Sequence, residues 1–373
     1  MVQRPSPLED MAMNCEFWKD RRVLLTGHTG FKGSWLSLWL HHLGAKVAGY
    51  SLQAPTTPSL FAEAGIAGVL QSIEGDIRDL PHLRQTLQEF QPEIILHLAA
   101  QALVGQSYKD PVETYSTNVM GTVNLFEAIR STPSVRAVVN ITTDKCYENQ
   151  EWIWGYRETD ALGGFDPYSN SKACAELVTA AFRSSFFHPA HFDSHHVAIA
   201  TARAGNVIGG GDWASNRLVP DILQGLASGV AADIRNPGSV RPWQHVLEPL
   251  RGYLMLAERL VLQGPAYGGP WNFGPRRDDA KPVSWLADEL CAIWGAGAHW
   301  RNTANELAHE TTALRLDTSK SESLLGWLPV LTLQESLRLI VEWSQSRSTG
   351  ADVLQLTLGQ IAHYQERVLS HVD

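Results

Sequence analysis

Tyr168 and Lys172 stand four residues apart, so on a helix they share one face. An ammonium beside a phenol favours the phenolate and draws a pKa of about 10 toward neutrality. A phenolate can take the proton of a substrate alcohol as hydride leaves the carbon, and the same lysine can hold a nicotinamide ribose. Upstream, Thr142-Thr143-Asp144-Lys145-Cys146-Tyr147 sets a hydroxyl, a carboxylate and an amine side by side. Thr143 is placed to bond the reacting oxygen. Asp144 and Lys145 form an acid beside a base, as elimination of water requires: one takes a carbon-bound proton, the other protonates the departing hydroxyl. A plain alcohol dehydrogenase has no use for that pair. The bland reading is a polar loop with a solvated salt bridge.

A second constellation, Gly27-His28-Thr29-Gly30-Phe31-Lys32-Gly33, lies between a predicted strand and a predicted helix. Glycines there allow a tight turn and let a pyrophosphate approach the helix N-terminus, where free N–H groups and the dipole favour an anion. His28 and Lys32 could both face phosphates, although a first-turn lysine is also often just exposed. Asp76, after the third predicted strand, suits an adenine edge; a strand-end turn is the plainer alternative. Ser51, Ile77, Ala99 and Ala100 also follow predicted strand ends, where a dinucleotide lies. Gly49-Tyr50-Ser51 offers neither the acid of a ribose-binding strand nor an arginine, so these residues leave NAD and NADP open.

The elements that must position these groups alternate. Val23–Thr26, 46–50, 70–73, 94–98, 136–141 and 197–203 read as strands. Helices are predicted over 31–43, 80–90, 112–130 and 168–186, with Pro167 as a cap. This is an α/β pattern, a Rossmann-type doubly wound parallel sheet, expected over 19–205. Residues 1–18 read as a flexible N-terminal extension. Residues 206–373, broken by Gly209-Gly210-Gly211 and many prolines, read mainly as a smaller C-terminal substrate-binding lobe, with possible strand returns to the main sheet. A final helix is predicted over 353–368, with no readable role.

The net charge of −9 argues against a nucleic-acid partner or a membrane surface, which want a basic face. No stretch approaches the ~20 apolar residues of a bilayer span, and Met1 to Glu16 has no apolar core of a secretory signal. Cys15, Cys146, Cys174 and Cys291 show no CxxC spacing and read as free thiols in a reducing cytoplasm. His188, His191, His195 and His196 cluster without a second ligand pair, so no metal is expected. An anionic ligand must be held by local dipoles and placed arginines. Arg203, Arg217, Arg235 and Arg241 are candidates, each alone reading as a surface charge. Arg241, in Arg241-Pro242-Trp243-Gln244-His245-Val246, is the preferred diphosphate ligand.

These motifs together resemble the extended short-chain dehydrogenase/reductases over nearly the whole chain. The resemblance rests on Thr26-Gly27-His28-Thr29-Gly30-Phe31-Lys32-Gly33-Ser34-Trp35, Gly49-Tyr50-Ser51-Leu52 with Pro58-Ser59-Leu60-Phe61, and Thr143-Asp144-Lys145-Cys146-Tyr147. Tyr168-Ser169-Asn170-Ser171-Lys172 and Ala204-Gly205-Asn206-Val207-Ile208-Gly209-Gly210-Gly211-Asp212-Trp213 extend it. Lys145 stands where most nucleotide-sugar 4,6-dehydratases carry glutamate, which is similar to their cytidine-nucleotide branch. The resemblance implies NAD as cofactor, CDP-glucose as substrate and CDP-4-keto-6-deoxyglucose as product, a precursor of surface polysaccharide such as O-antigen.

In the implied cycle Tyr168 deprotonates the 4-hydroxyl as hydride leaves C4. Lys145 removes the C5 proton, Asp144 protonates the 6-hydroxyl, and hydride returns to C6. A lysine base must be neutral, so Lys145 either loses its charge through burial or a nearby cation, or instead orients groups. The resemblance also implies that Asn206, Asn216 and Arg217 lie near the diphosphate; Leu218, Arg235, Arg241 and Gln244 complete the substrate candidates. It implies a homodimer or homotetramer built on the helices around 112–130 and 168–186. A nucleotide-sugar 4-epimerase shares the Tyr/Lys pair but needs no acid beside a base. A non-catalytic dinucleotide sensor usually lacks the tyrosine or the lysine.

Overall fold

The computed structural model describes residues 14–295, 297–303 and 314–370. Seven strands build the central sheet: β1 (Arg22–Thr26), β2 (Lys46–Ser51), β3 (Gln71–Glu74), β4 (Ile94–His97), β5 (Ala137–Ile141), β6 (Ala198–Arg203) and β7 (Gly269–Asn272). Their order is β7-β6-β5-β4-β1-β2-β3, and every pairing is parallel. The winding reverses between β1 and β4. A crevice opens at such a switch point, beyond the strand carboxyl ends.

The principal helices are α1 (Phe31–His42), α2 (Leu80–Phe90), α3 (Gly121–Ile129), α4 (Pro167–Ser185), α5 (Leu218–Ala227), α6 (Leu247–Gln263), α7 (Val283–Trp294), α8 (Leu333–Ser348) and α9 (Val353–Ser370). Successive strand residues point to opposite faces, which sorts the core into two layers. Val23, Leu25, Ile94 and Leu96 meet Trp35 and Trp39 of α1, Leu250 and Leu254 of α6 and Tyr364 of α9. Leu24, Ile95 and Val138 meet Leu83 and Leu87 of α2, Leu125 and Phe126 of α3, and Phe182 of α4. With both faces covered, β4 and β5 are buried throughout.

The expected unbroken helix over 112–130 is corrected. Pro111–Tyr115 is α-helical, Ser116–Met120 is a π turn, and only then does α3 begin. The turn aims the buried Asn118 inward. Its side chain accepts from Gln101 N at 2.8 Å and donates to Gln101 O at 3.0 Å and to Ser171 Oγ at 2.9 Å. It thereby ties the loop after β4 to α4. Of the expected N-terminal extension, residues 1–13 lie outside the described residues. Asn14 caps a short helix, Cys15–Trp18, whose Trp18 is fully buried, so folded structure begins earlier than the expected boundary.

Beyond residue 205 the chain serves two bodies. α5, α7 and α8 enclose a separate core of Ile222, Leu226, Leu286, Leu290, Leu337 and Ile340. The segment β7, α6 and α9 goes to the main sheet instead. α9 packs on α1, with Trp39 and Tyr364 edge to face at 5.7 Å, and Tyr364 donates to buried Glu248 of α6 at 2.6 Å. Among the described residues no helix is long and apolar enough to cross a membrane.

Candidate active site

The glycine loop is shaped by close backbone approach. The Thr26 hydroxyl, 2.7 Å from His97 Nδ1, also accepts the Leu98 and Ala99 amides at 3.2 Å. That fixes the turn after β4 directly against Gly27. A Cβ on Gly27, whose φ is 76°, would meet Ala99 N at 2.7 Å, and one on Gly33 would lie 2.1 Å from the Gly27 carbonyl oxygen. Gly30 caps α1 without a side-chain bond to the helix, which leaves first-turn N–H groups for an anion. These residues fit a dinucleotide pyrophosphate. Ser51 sits beside the loop, its hydroxyl 2.9 Å from that of Thr29, and Ala99 and Ala100 line the crevice wall half-buried.

One reading of this region is corrected. The His28 ring does not face a phosphate: it fills the slot left by Gly49, stands edge to face with Phe61 and lies 2.8 Å from Ser72 Oγ. Burial pushes its pKa down to about 4, so the ring is neutral. The Asp76 carboxylate is engaged by Arg78 through Nε and Nη2 and by the Arg78 amide. Ile77 is buried under α3, where Gly121 leaves room for it.

Asp166 caps α4, accepting from Ser169 N at 3.0 Å, with Pro167 at the first turn. This sets Tyr168 and Lys172 on the helix face toward β5. Lys172 Nζ donates to the Ile141 carbonyl at 3.1 Å. The Thr143 hydroxyl stands by the Tyr168 phenol and works to lower its pKa, and Thr143 Oγ1 donates to Asp144 Oδ1 at 2.9 Å. Phenol, alcohol and carboxyl therefore stand in one connected row. Asp144 is only 2% exposed, and a Cβ on Gly205 would fall 1.8 Å from its Oδ2. Only glycine at 205 lets the carboxyl occupy this position.

The electrostatics differ from expectation. Burial pushes the Tyr168 phenol up to about 12; the Thr143 hydroxyl and the Arg217 charge work downward, and Asp144 works upward. Desolvation thus outweighs the drop expected from Lys172, whose ammonium is directed at a carbonyl. Lys145 is exposed. Two amines of the site are depressed: Lys172, which burial pulls down to about 8, and Lys32. Burial first, then the charges of Lys172 and Arg217, pull it down to about 7, with Asp144 opposing. It is therefore an occupant of this site and not a bystander on the surface.

The substrate candidates divide. Arg217, at the start of α5, pairs with Asp212 at 2.9 Å and bears on Tyr168 and Lys32. Asn206 and Asn216 both take left-handed backbone, with φ of 49° and 61°, and Leu218 opens α5 half-buried. Gln244 is buried with its amide donating to the Gly205 and Phe273 carbonyls, which supports the loop behind Asp144. Arg235 is exposed, and Arg241 is half-buried with Nη1 donating to Val240 O. Arg203 is corrected: it is buried and paired with Glu176 at 2.9 Å, which removes it from the phosphate ligands. Sequence reasoning passed over His97, Asn118, Glu176 and the steric role of Gly205. Glu176 had a signal, one turn beyond Lys172; Asn118 had none, because its partners are set by the π turn.

The GDP-mannose 4,6 dehydratase family model matches residues 24–255. A CDP-glucose 4,6-dehydratase of Salmonella typhimurium is 53% identical over 93% of this chain and 97% of its own length. Among solved structures, a dTDP-glucose 4,6-dehydratase from Streptomyces venezuelae, with NAD and TYD bound, superposes with a TM-score of 0.72. It is 24% identical and covers 89% of this chain and 99% of that one. A UDP-glucose 4-epimerase from Thermotoga maritima, with UDP-glucose, gives a TM-score of 0.74 at 23% identity, covering 87% and 99%.

Proposed function

The chain belongs to the GDP-mannose 4,6 dehydratase family, and from that premise we propose that it is an NAD-dependent hydro-lyase converting CDP-glucose to CDP-4-keto-6-deoxyglucose and water. The observation that carries this reading is the connected row Tyr168–Thr143–Asp144: an alcohol-oxidising phenol and a buried acid served by one hydroxyl. The acid has no task in a 4-epimerase. The 53% identical relative supports the cytidine nucleotide.

NAD, held by the Gly27–Gly33 loop and by Lys172, supplies the acceptor and later the donor of one hydride, so none is consumed. The protein's part is proton management and orientation. Tyr168 takes the proton of the sugar 4-hydroxyl, while Thr143 holds that oxygen. The resulting 4-ketone acidifies the C5 proton, which we assign to Lys145 once the bound sugar covers it; Lys145 returns that proton to C5 as the hydride adds at C6. Asp144 gives its proton to the 6-hydroxyl, which leaves as water. Arg217 and Lys32 face the site with positive charge suited to diphosphate and pyrophosphate oxygens. Asn206, Asn216, Leu218, Arg235 and Arg241 are assigned to the substrate side.

We further infer a homodimer formed through α3 and α4, with Met120 of the π turn that leads into α3 and Leu177 of α4 exposed. Its compartment is the cytoplasm, in keeping with the free thiols Cys146, Cys174 and Cys291, and its product feeds deoxy-sugar units of surface polysaccharide. Incubation with CDP-, UDP-, dTDP- and GDP-glucose in the presence of NAD⁺ tests the reading. CDP-glucose should give the base-induced absorbance of a 4-keto sugar without accumulating NADH. Stoichiometric NADH would make the protein a dehydrogenase, and an axial 4-hydroxyl product would make it an epimerase.

A further inference from the structure

Glu176 lies one helical turn beyond Lys172 on α4, buried, and belongs to none of the roles assigned so far. Its carboxylate accepts from the Thr142 hydroxyl, from Thr201 Oγ1 at 2.7 Å and from Arg203 Nη2 at 2.9 Å. Arg203 Nη1 continues to the Tyr147 hydroxyl at 2.7 Å, which donates to Asn272 Oδ1 at 2.8 Å. Four strands and turns of the sheet end are thus joined through one carboxylate. A buried ion pair is poor value for stability alone, because desolvation of both charges offsets their attraction.

The placement of this pair gives it a second task. Thr142 directly precedes Thr143 and Asp144, so the carboxylate tethers the strand end that carries them. Lys172 is buried on the same helix face, and burial pulls its ammonium down to about 8, while Glu176 acts in the opposite direction. The other ionisable groups around Lys172 offer little anionic charge. Cys146 on the turn after β5 is a buried thiol pushed well above its ordinary range. His97 at the end of β4 is held neutral by burial, down to about 3. Lys32 on α1 repels it, and Arg203 on β6 is taken by Glu176 itself.

We propose that Glu176, braced by Arg203, is a positioning residue for the redox site: it supplies the counter-charge of the Lys172 ammonium and anchors Thr142, and with it the Thr143–Asp144 turn. This rests on the dehydratase reading above and adds to it a group that touches neither substrate nor cofactor. The sign of its effect follows. Lys172 must be charged to favour the Tyr168 phenolate, so activity falls as pH rises through the lysine pKa. Without Glu176 that loss begins at lower pH.

The test compares Glu176→Asp, which keeps the charge, with the double variant Glu176→Gln/Arg203→Met, which removes both charges without stranding one. Circular dichroism establishes folding, and kcat and KM for CDP-glucose are followed from pH 6 to 10. The double variant should show its alkaline limb displaced downward by about one pH unit and kcat near pH 8 reduced about fivefold, with KM within about twofold. Glu176→Asp should keep the wild-type limb. A folded double variant with an unmoved limb overturns the proposal, and so does failure of both variants to fold, which would make the pair purely structural. Wild-type protein inactive on CDP-glucose would instead defeat the function assigned above.

Discussion

At the scale of single residues, Thr143 is the pivot, because its hydroxyl meets both Tyr168 and Asp144. Two substitutions should separate the half-reactions on either side of it. Tyr168→Phe removes the group that accepts the 4-hydroxyl proton, and the first hydride transfer should slow by about 10²–10⁴-fold. Rapid-mixing absorbance at 340 nm reads that step. Asp144→Asn keeps the shape that Gly205 accommodates but has no acidic proton to give. Oxidation should persist within a few-fold while release of water, followed by the 4-keto chromophore, falls about 100-fold. Equal loss of both steps in Asp144→Asn would refute this division of labour. The residue types were legible from the chain. Their protonation was not: burial, which no spacing reports, sets Tyr168 high and Lys32 low.

Elements decide how closely these groups meet. The turn from β1 to α1 works because Gly33 lets the helix start rest on the Gly27 carbonyl. Gly33→Ala would place a methyl 2.1 Å from that oxygen, forcing the loop open. NAD affinity measured by calorimetry should drop by about 100-fold or more, beside a modest stability loss of about 1–3 kcal/mol. Unchanged affinity would remove the loop from the cofactor site. The strands were readable because buried parallel strands are apolar runs bounded by turn residues. The π turn at Ser116–Met120 was not, since its extra residue is fixed by Asn118 reaching Gln101 and Ser171. No local propensity encodes that.

For the whole molecule, the chain crosses between bodies after residue 205. β7, α6 and α9 reinforce the main sheet, while α5, α7 and α8 form the lobe facing the crevice. Two ion pairs hold α8 against the main body, Arg347 of α8 with Glu63 and Glu335 of α8 with Arg367 of α9. Met120, just before α3, and Leu177 on α4 are exposed apolar side chains. The intact protein should sediment as a dimer, and Leu177→Asp, at a position 58% exposed, should yield a folded monomer with its melting temperature little changed at low concentration. A wild-type monomer would place the subunit contact elsewhere or nowhere.

Six of the sheet's seven strands, the glycine loop, the Tyr168/Lys172 spacing and the Thr143–Asp144 turn were legible in the sequence alone. Each is a local pattern in which hydrophobic period, glycine placement or helical repeat acts within a few residues. Tertiary structure alone decided that His28 fills the Gly49 slot, that Arg203 pairs inward with Glu176, and that Gly205 stands against Asp144. Those outcomes join residues distant in the chain. Desolvation and close packing, acting only once the chain has folded, choose the partner for each buried charge.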